Sequence, residues 1–166
     1  MKNRITLLSL LVLFAVFAVG VVPTRSTSVF AAGGNGPSAN GHGNLTVGGE
    51  LRTFSFHAIT QRDDDVQGSV TLHNRSTDTF TKADINCLRV VGNTAIMSGP
   101  ITNSSNPVFE GRTAIFRVQD NGEGANSPPD GLSLLFIFPA GSTASCNINF
   151  VFPFMPIEGG NVQVKP

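Results

Sequence analysis

The stretch Asp120-Asn-Gly-Glu-Gly-Ala-Asn-Ser-Pro-Pro-Asp130 gathers three carboxylates, Asp120, Glu123 and Asp130, around two glycines and a Pro-Pro pair. A calcium ion takes about six to eight hard oxygen ligands, so the first chemistry this spacing offers is a Ca2+ site. Asp120, Glu123, Asp130 and the Asn121 amide would supply oxygens, and Gly122 and Gly124 would let the backbone bend around the ion. The spacing is not that of an EF-hand. The competing reading is that Asn121-Gly122 is hairpin turn chemistry and the acids are solvated. The second acidic run, Asp63-Asp64-Asp65, reads as a solvated turn.

Two histidines could also do chemistry. Residues 51–60 and 68–74 alternate apolar with polar, and a hairpin with Phe54, Phe56 and Ala58 on the same face as Val70 and Leu72 leaves His57 and His73 sharing the outer face. A turn centred near Asp65 sets them directly opposite, and a slip of two makes them diagonal neighbours. A His pair is the start of a metal or acid–base site, but the sequence places no third ligand beside it. The two cysteines, Cys87 and Cys146, lie in no Cys-x-x-Cys and have no histidine near them in sequence, so one intramolecular disulfide is their simplest use. There is no Gly-x-Ser-x-Gly, no His-Glu-x-x-His and no phosphate-cradling loop. An active site would have to assemble from distant residues such as His57, His73 and Asp120.

The elements that must position these groups read as strands. Short β-like runs fall at 44–47, 51–60, 68–74, 79–91, 94–98, two pieces within 108–119, 132–138, 145–152 and 161–165, separated by Gly/Pro/Asn turns. Run 79–91 keeps no single alternation, as expected of a central or bulged strand. Runs 132–138 and 145–152 read as a hairpin across Pro139-Ala140-Gly141. No stretch after Ala31 has helical periodicity of useful length, so the fold class expected is all-β, an antiparallel sandwich or barrel of about eight short strands.

The N-terminus has the layout of a secretory signal peptide: Lys2 and Arg4, an apolar run over 5–22, and Val29 and Ala31 at the −3 and −1 positions of a cut after Ala31. The apolar run also reaches bilayer-spanning length, so an uncleaved N-terminal anchor is the other reading. Residues 32–43 are Gly-, Asn- and Ser-rich and read as a flexible lead-in, with the domain over 44–166. Cleavage removes Lys2, Arg4 and Arg25 of the eleven Lys+Arg and none of the eleven Asp+Glu, leaving a net charge of −3. Such a chain is a poor partner for nucleic acid or an anionic membrane. The product is expected outside the cytoplasm, extracellular or periplasmic.

No Trp or Tyr is present, which removes the flat rings with polar edges that suit sugars, and the mature phenylalanines read mostly as core. Phe152, Phe154, Met155 and Ile157 stand apart, because Pro153 and Pro156 interrupt pairing there. They are a candidate interaction surface for a partner protein or a second copy of the chain; the alternative is a proline-kinked edge that covers the core.

The run Ile85-Asn-Cys-Leu-Arg-Val-Val-Gly-Asn-Thr-Ala95, followed by Phe116-Arg-Val-Gln-Asp-Asn-Gly-Glu-Gly124 and Pro128-Pro129-Asp130, resembles small secreted bacterial β-rich modules akin to post-COAP-1 domains. The likeness spans residues 45–135. It implies secretion and a β fold and supplies no catalytic residue. Taken together, the sequence predicts a secreted, non-catalytic β domain, an interaction or surface-associated module stabilised by one disulfide and, if the acidic loop holds an ion and is not simply a solvated turn, by calcium. The competing class is a small extracellular enzyme using the loop carboxylates or the His57/His73 pair.

Overall fold

The computed structural model describes residues 36–124, 126–148 and 151–166, so the signal-peptide and anchor readings of residues 1–31 and position 150 lie outside the described residues. The protein is all-β. Its strands are β1 (Ser38–Val47), β2 (Glu50–Thr60), β3 (Val66–Asn74), β4 (Thr79–Ile85), β5 (Cys87–Val91), β6 (Thr94–Ser104), β7 (Thr113–Gln119), β8 (Gly131–Leu132), β9 (Phe136–Ile137), β10 (Met155–Pro156) and β11 (Gly159–Lys165). A 3-10 turn at Pro107–Phe109 precedes β7. All pairings are antiparallel. The sheet runs β10-β8-β7-β6-β4-β3-β2-β1-β11, with β5 beside β6 and β9 beside β7, and curls into a half-barrel.

Local sequence chemistry sets the first hairpins. Gly48 and Gly49, at φ 61° and 83°, make the two-residue turn between β1 and β2, with Val47 opposite Glu50. The β2/β3 register sets Phe54 opposite Leu72 and Phe56 opposite Val70, the shared face expected from the alternation. Phe56 then meets Phe116 of β7 edge to face, with 5.7 Å between ring centroids, and so joins the two walls of the half-barrel.

Run 79–91 divides at Asn86 into β4 and β5, both of which pair with β6. Ala95, Ile96, Met97 and Ser98 of β6 are all buried, because the strand is covered on both faces. Ala95 and Met97 face the main core, whereas Ile96 joins Ile115, Cys146 and Phe152 in a second core on the outer side of β6 and β7.

Three expectations are corrected. The domain does not start at residue 44: β1 begins at Ser38 and is paired on both sides, to β2 and to β11. Its small residues are needed for close approach rather than for flexibility, since a Cβ on buried Gly41 would lie 2.7 Å from the Phe56 ring. We expect Gly41→Ala to displace that ring and destabilise the fold by about 2 kcal/mol in urea unfolding; an unchanged midpoint would show that the core yields there at no cost. The run at 94–98 does not end there, because β6 continues to Ser104. Finally, among their described residues 132–138 and 145–152 form no hairpin: there only Gly131–Leu132 and Phe136–Ile137 are strand, each paired with β7, and the chain from Phe138 to Phe154 has no strand among its described residues. The alternation of Cys146, Ile148 and Phe152 records burial against the outer core, not a ladder.

That strap is fastened by the expected disulfide, Cys87–Cys146, which spans 59 positions of sequence. Arg89 of β5 reinforces it, donating from Nε to the Cys146 carbonyl at 3.1 Å and from Nη2 to the Ile148 carbonyl at 3.3 Å.

Candidate functional site

The acidic loop leaves the end of β7, and the β5/β6 turn holds its first residue. Asp120 N–H donates to the Asn93 carbonyl at 2.9 Å, and Asn93 Nδ2 donates to the Asp120 carbonyl at 2.7 Å. The Gly-Asn-Thr turn and the Asp-Asn-Gly-Glu loop, far apart in sequence, are thus one hydrogen-bonded unit.

From there the three carboxylates all turn to one strand, β11. Asp120 accepts the Gly122 N–H through Oδ1 at 2.9 Å and the Val164 N–H through Oδ2 at 3.0 Å. Asp130, buried, accepts the Asn121 N–H through Oδ1 and the Val162 N–H through Oδ2, both at 2.8 Å. Glu123 Oε1 accepts the side-chain amides of Asn161 at 3.1 Å and Gln163 at 3.2 Å. The Asp130 carbonyl takes the Ile157 N–H at 2.9 Å.

The placement explains the arrangement. β10 and β11 are the two ends of the sheet, and no backbone ladder joins β11 to β7 or β8. β11 pairs with β1 on one side only, so its other edge would present bare N–H groups at Val162 and Val164. Asp130 and Asp120 supply the missing acceptors, and the seam of the half-barrel is closed by carboxylates in place of a strand. Hydrogen bonds to a charged acceptor are about twice as strong as neutral ones.

As a metal centre the same residues are poorly disposed. Both oxygens of Asp120 and both of Asp130 already face backbone N–H groups, and the acids are strung along a strand rather than arranged around a point. Among the described residues no group of three or more His, Cys, Asp and Glu side chains could hold a metal ion. A cleft of about 380 Å³ borders the loop between Pro128-Pro129 and Gly159-Gly160, with Glu123 and Glu158 on its walls. Glu158 is engaged by the N–H and hydroxyl of Thr46 at 3.0 and 3.1 Å.

The histidine pair does not assemble. His57 lies opposite Ser69 and His73 opposite Thr53, four residues apart along the hairpin. The cause is the turn: Asp64 takes φ 62° and Gln61 N–H bonds the Asp65 carbonyl at 2.7 Å, so pairing resumes at Thr60–Val66 and the hairpin is centred on Asp63, not Asp65. His73 instead bonds Asp78 at 2.9 Å, and His57 meets Ser69 Oγ at 3.4 Å.

The candidate interaction surface is only partly exposed. Phe152 and Ile157 are buried, Met155 pairs with Leu132 and packs on the main core, and Phe154 lies beneath the Arg117 guanidinium, 3.8 Å from its ring centroid. The prolines do interrupt the ladder, and they leave Phe152 and Ile157 buried and Phe154 and Met155 half-buried. Arg117 Nε is buried with no hydrogen-bond partner among the described residues, and burial lowers the pKa of this guanidinium from its ordinary value. Sequence reasoning missed Asn93, Arg89 and Arg117; the available signal was an arginine within each of two otherwise apolar strands.

No protein-family model, curated protein or solved structure matches the chain. Among the described residues no helix is long and apolar enough to cross a membrane.

Proposed function

We propose that the protein is a secreted, non-catalytic β domain that works as a binding or surface-associated structural module, and that its acidic loop is a clasp closing the half-barrel. One observation carries this reading: the side chains best suited to chemistry are committed to the fold. Asp120 and Asp130 cap β11, and the histidines stand four rungs apart. The extracellular placement is supported by the disulfide, which persists in oxidising compartments, and by the signal-like N-terminal sequence. The competing enzyme reading would need the loop carboxylates free for a substrate.

Thermal unfolding in EDTA and then in excess calcium tests the clasp. An ion that binds only the folded state raises stability by mass action, so a structural clasp predicts no calcium shift. Asp120→Asn removes one of two backbone acceptors and should lower the Tm by about 5 °C, equally with and without calcium. A calcium-dependent rise that disappears in Asp120→Asn would replace the clasp with an ion site.

A further inference from the structure

His42 falls in the glycine- and asparagine-rich stretch whose composition reads as a lead-in, yet it sits in the middle of β1, paired on both sides. The alternation of the strand decides where it projects. Ala39 and Gly41 are buried, so Asn40 and His42 stand on the opposite, outer face, and both are exposed. On β2 the same rule puts Ser55 and His57 on that outer face, both exposed, between the buried Phe54, Phe56 and Ala58. The β1/β2 register sets Asn40 opposite His57 and His42 opposite Ser55. His42 and His57 are therefore diagonal neighbours on one solvent-facing surface, at a separation within reach of aromatic and long side chains.

The other two corners of this patch, Asn40 and Ser55, are short, polar and exposed, so the space above the four residues is open to solvent. The ring nitrogens differ in what they meet. His57 Nδ1 lies 3.4 Å from Ser69 Oγ, its cross-strand neighbour on β3, which leaves Nε2 as the nitrogen with no partner among the described residues. Neither nitrogen of His42 has a hydrogen-bond partner among the described residues. His73 is the contrast, because its Nε2 is taken by Asp78 at 2.9 Å. An imidazole oriented through one nitrogen and open at the other is the usual arrangement of a metal-ligating histidine.

We propose that His42 and His57 form a surface site for a divalent transition-metal ion, with Cu2+ held more tightly than Zn2+, one nitrogen coming from each ring and the remaining positions being filled by water. Imidazole suits these ions, whereas calcium and magnesium take oxygen ligands. Among the described residues no group of three or more ligating side chains could hold a metal, so the site has two protein ligands and an open, exchangeable face. That is the geometry of reversible capture at a surface, unlike a structural ion closed in by four protein ligands. The pair depends on the β1/β2 ladder and uses none of the three seam carboxylates, so this proposal and the clasp stand or fall separately.

The test titrates Zn2+ into the isotopically labelled, tag-free protein in a non-coordinating buffer and follows the imidazole signals by NMR, with Cu2+ and Ca2+ titrated in parallel by calorimetry. Zn2+ should shift the ring signals of His42 and His57 together, to saturation, and leave those of His73 in place. Cu2+ should bind more tightly than Zn2+, as the order of divalent affinities requires, and Ca2+ should give no heat at this site. His42→Ala and His57→Ala should each remove the saturable Zn2+ shifts of the remaining ring, while His73→Ala keeps the site intact. Both ligand positions are exposed, so thermal unfolding of these variants should stay close to that of the parent chain, and His57→Gln provides a second variant should His57→Ala lose the fold. Zn2+ shifts confined to one ring, saturable shifts of one ring that survive removal of the other, or the absence of saturable shifts at either histidine would overturn the proposal.

Discussion

Replacing Asp130 with alanine should lower the unfolding free energy by about 3 kcal/mol, a fall of about 10 °C in Tm. The carboxylate is buried and accepts two backbone N–H groups, those of Asn121 and Val162, at 2.8 Å each. Alanine leaves both donors without an acceptor, and each buried orphan costs about 1–3 kcal/mol. Asp130→Asn should cost less, about 2 kcal/mol, because one oxygen survives and only one N–H then faces an NH2 group. Asp120→Asn should cost less again, since Asp120 is only half-buried and water can reach the vacated donor. Urea unfolding ranks the three variants, and amide exchange locates the damage: the Val162 N–H should lose protection in Asp130→Ala while the β2/β3 hairpin keeps its own. A loss below about 1 kcal/mol with Val162 still protected would mean that the seam is sealed by packing and not by the carboxylate.

The clasp also shows what could be read from the sequence and what could not. Period-2 alternation identified β2, β3 and β7 and the face carrying Phe54, Phe56, Val70 and Leu72, because one-sided burial writes itself directly into residue type. The same alternation fixed only the parity of the β2/β3 register. Its centre depended on the left-handed Asp64 and the number of residues in the turn, and that difference separated His57 from His73. The Gly-rich start of β1 read as a linker because composition does not distinguish a glycine that is flexible from one that makes room for the Phe56 ring. The strap after Phe138 read as a strand because an outer core imposes alternation as readily as a ladder does. The acidic loop stood out in the sequence by its three carboxylates, Asp120, Glu123 and Asp130. Its role could not be read, since the donors it meets are backbone N–H groups of Val162 and Val164, far along the chain and indifferent to side-chain identity.

Removing the disulfide with Cys87→Ala and Cys146→Ala together should have the largest effect, about 4 kcal/mol from the released chain entropy of a 59-position span. The consequence should also be uneven across the molecule. The chain from Phe138 to Phe154 has no strand among its described residues, so Arg89 at two carbonyls, the Arg117–Phe154 contact and the packing of Phe138, Ile148 and Phe152 on the outer core are among the contacts that hold it beside the disulfide. A segment held by side chains and not by a ladder opens below the global unfolding free energy. In limited proteolysis the double variant should therefore be cut first within residues 139–147, while β1 to β4, paired along their length, stay intact. A variant that is destabilised by about 4 kcal/mol yet keeps the strap uncut would assign the cross-link a purely chain-entropic role. Early cleavage at the strap would show that the bond does locally what hydrogen-bonded pairing does elsewhere in the sheet: it keeps an apolar outer face covered where the prolines at 139 and 153 deny the chain a ladder.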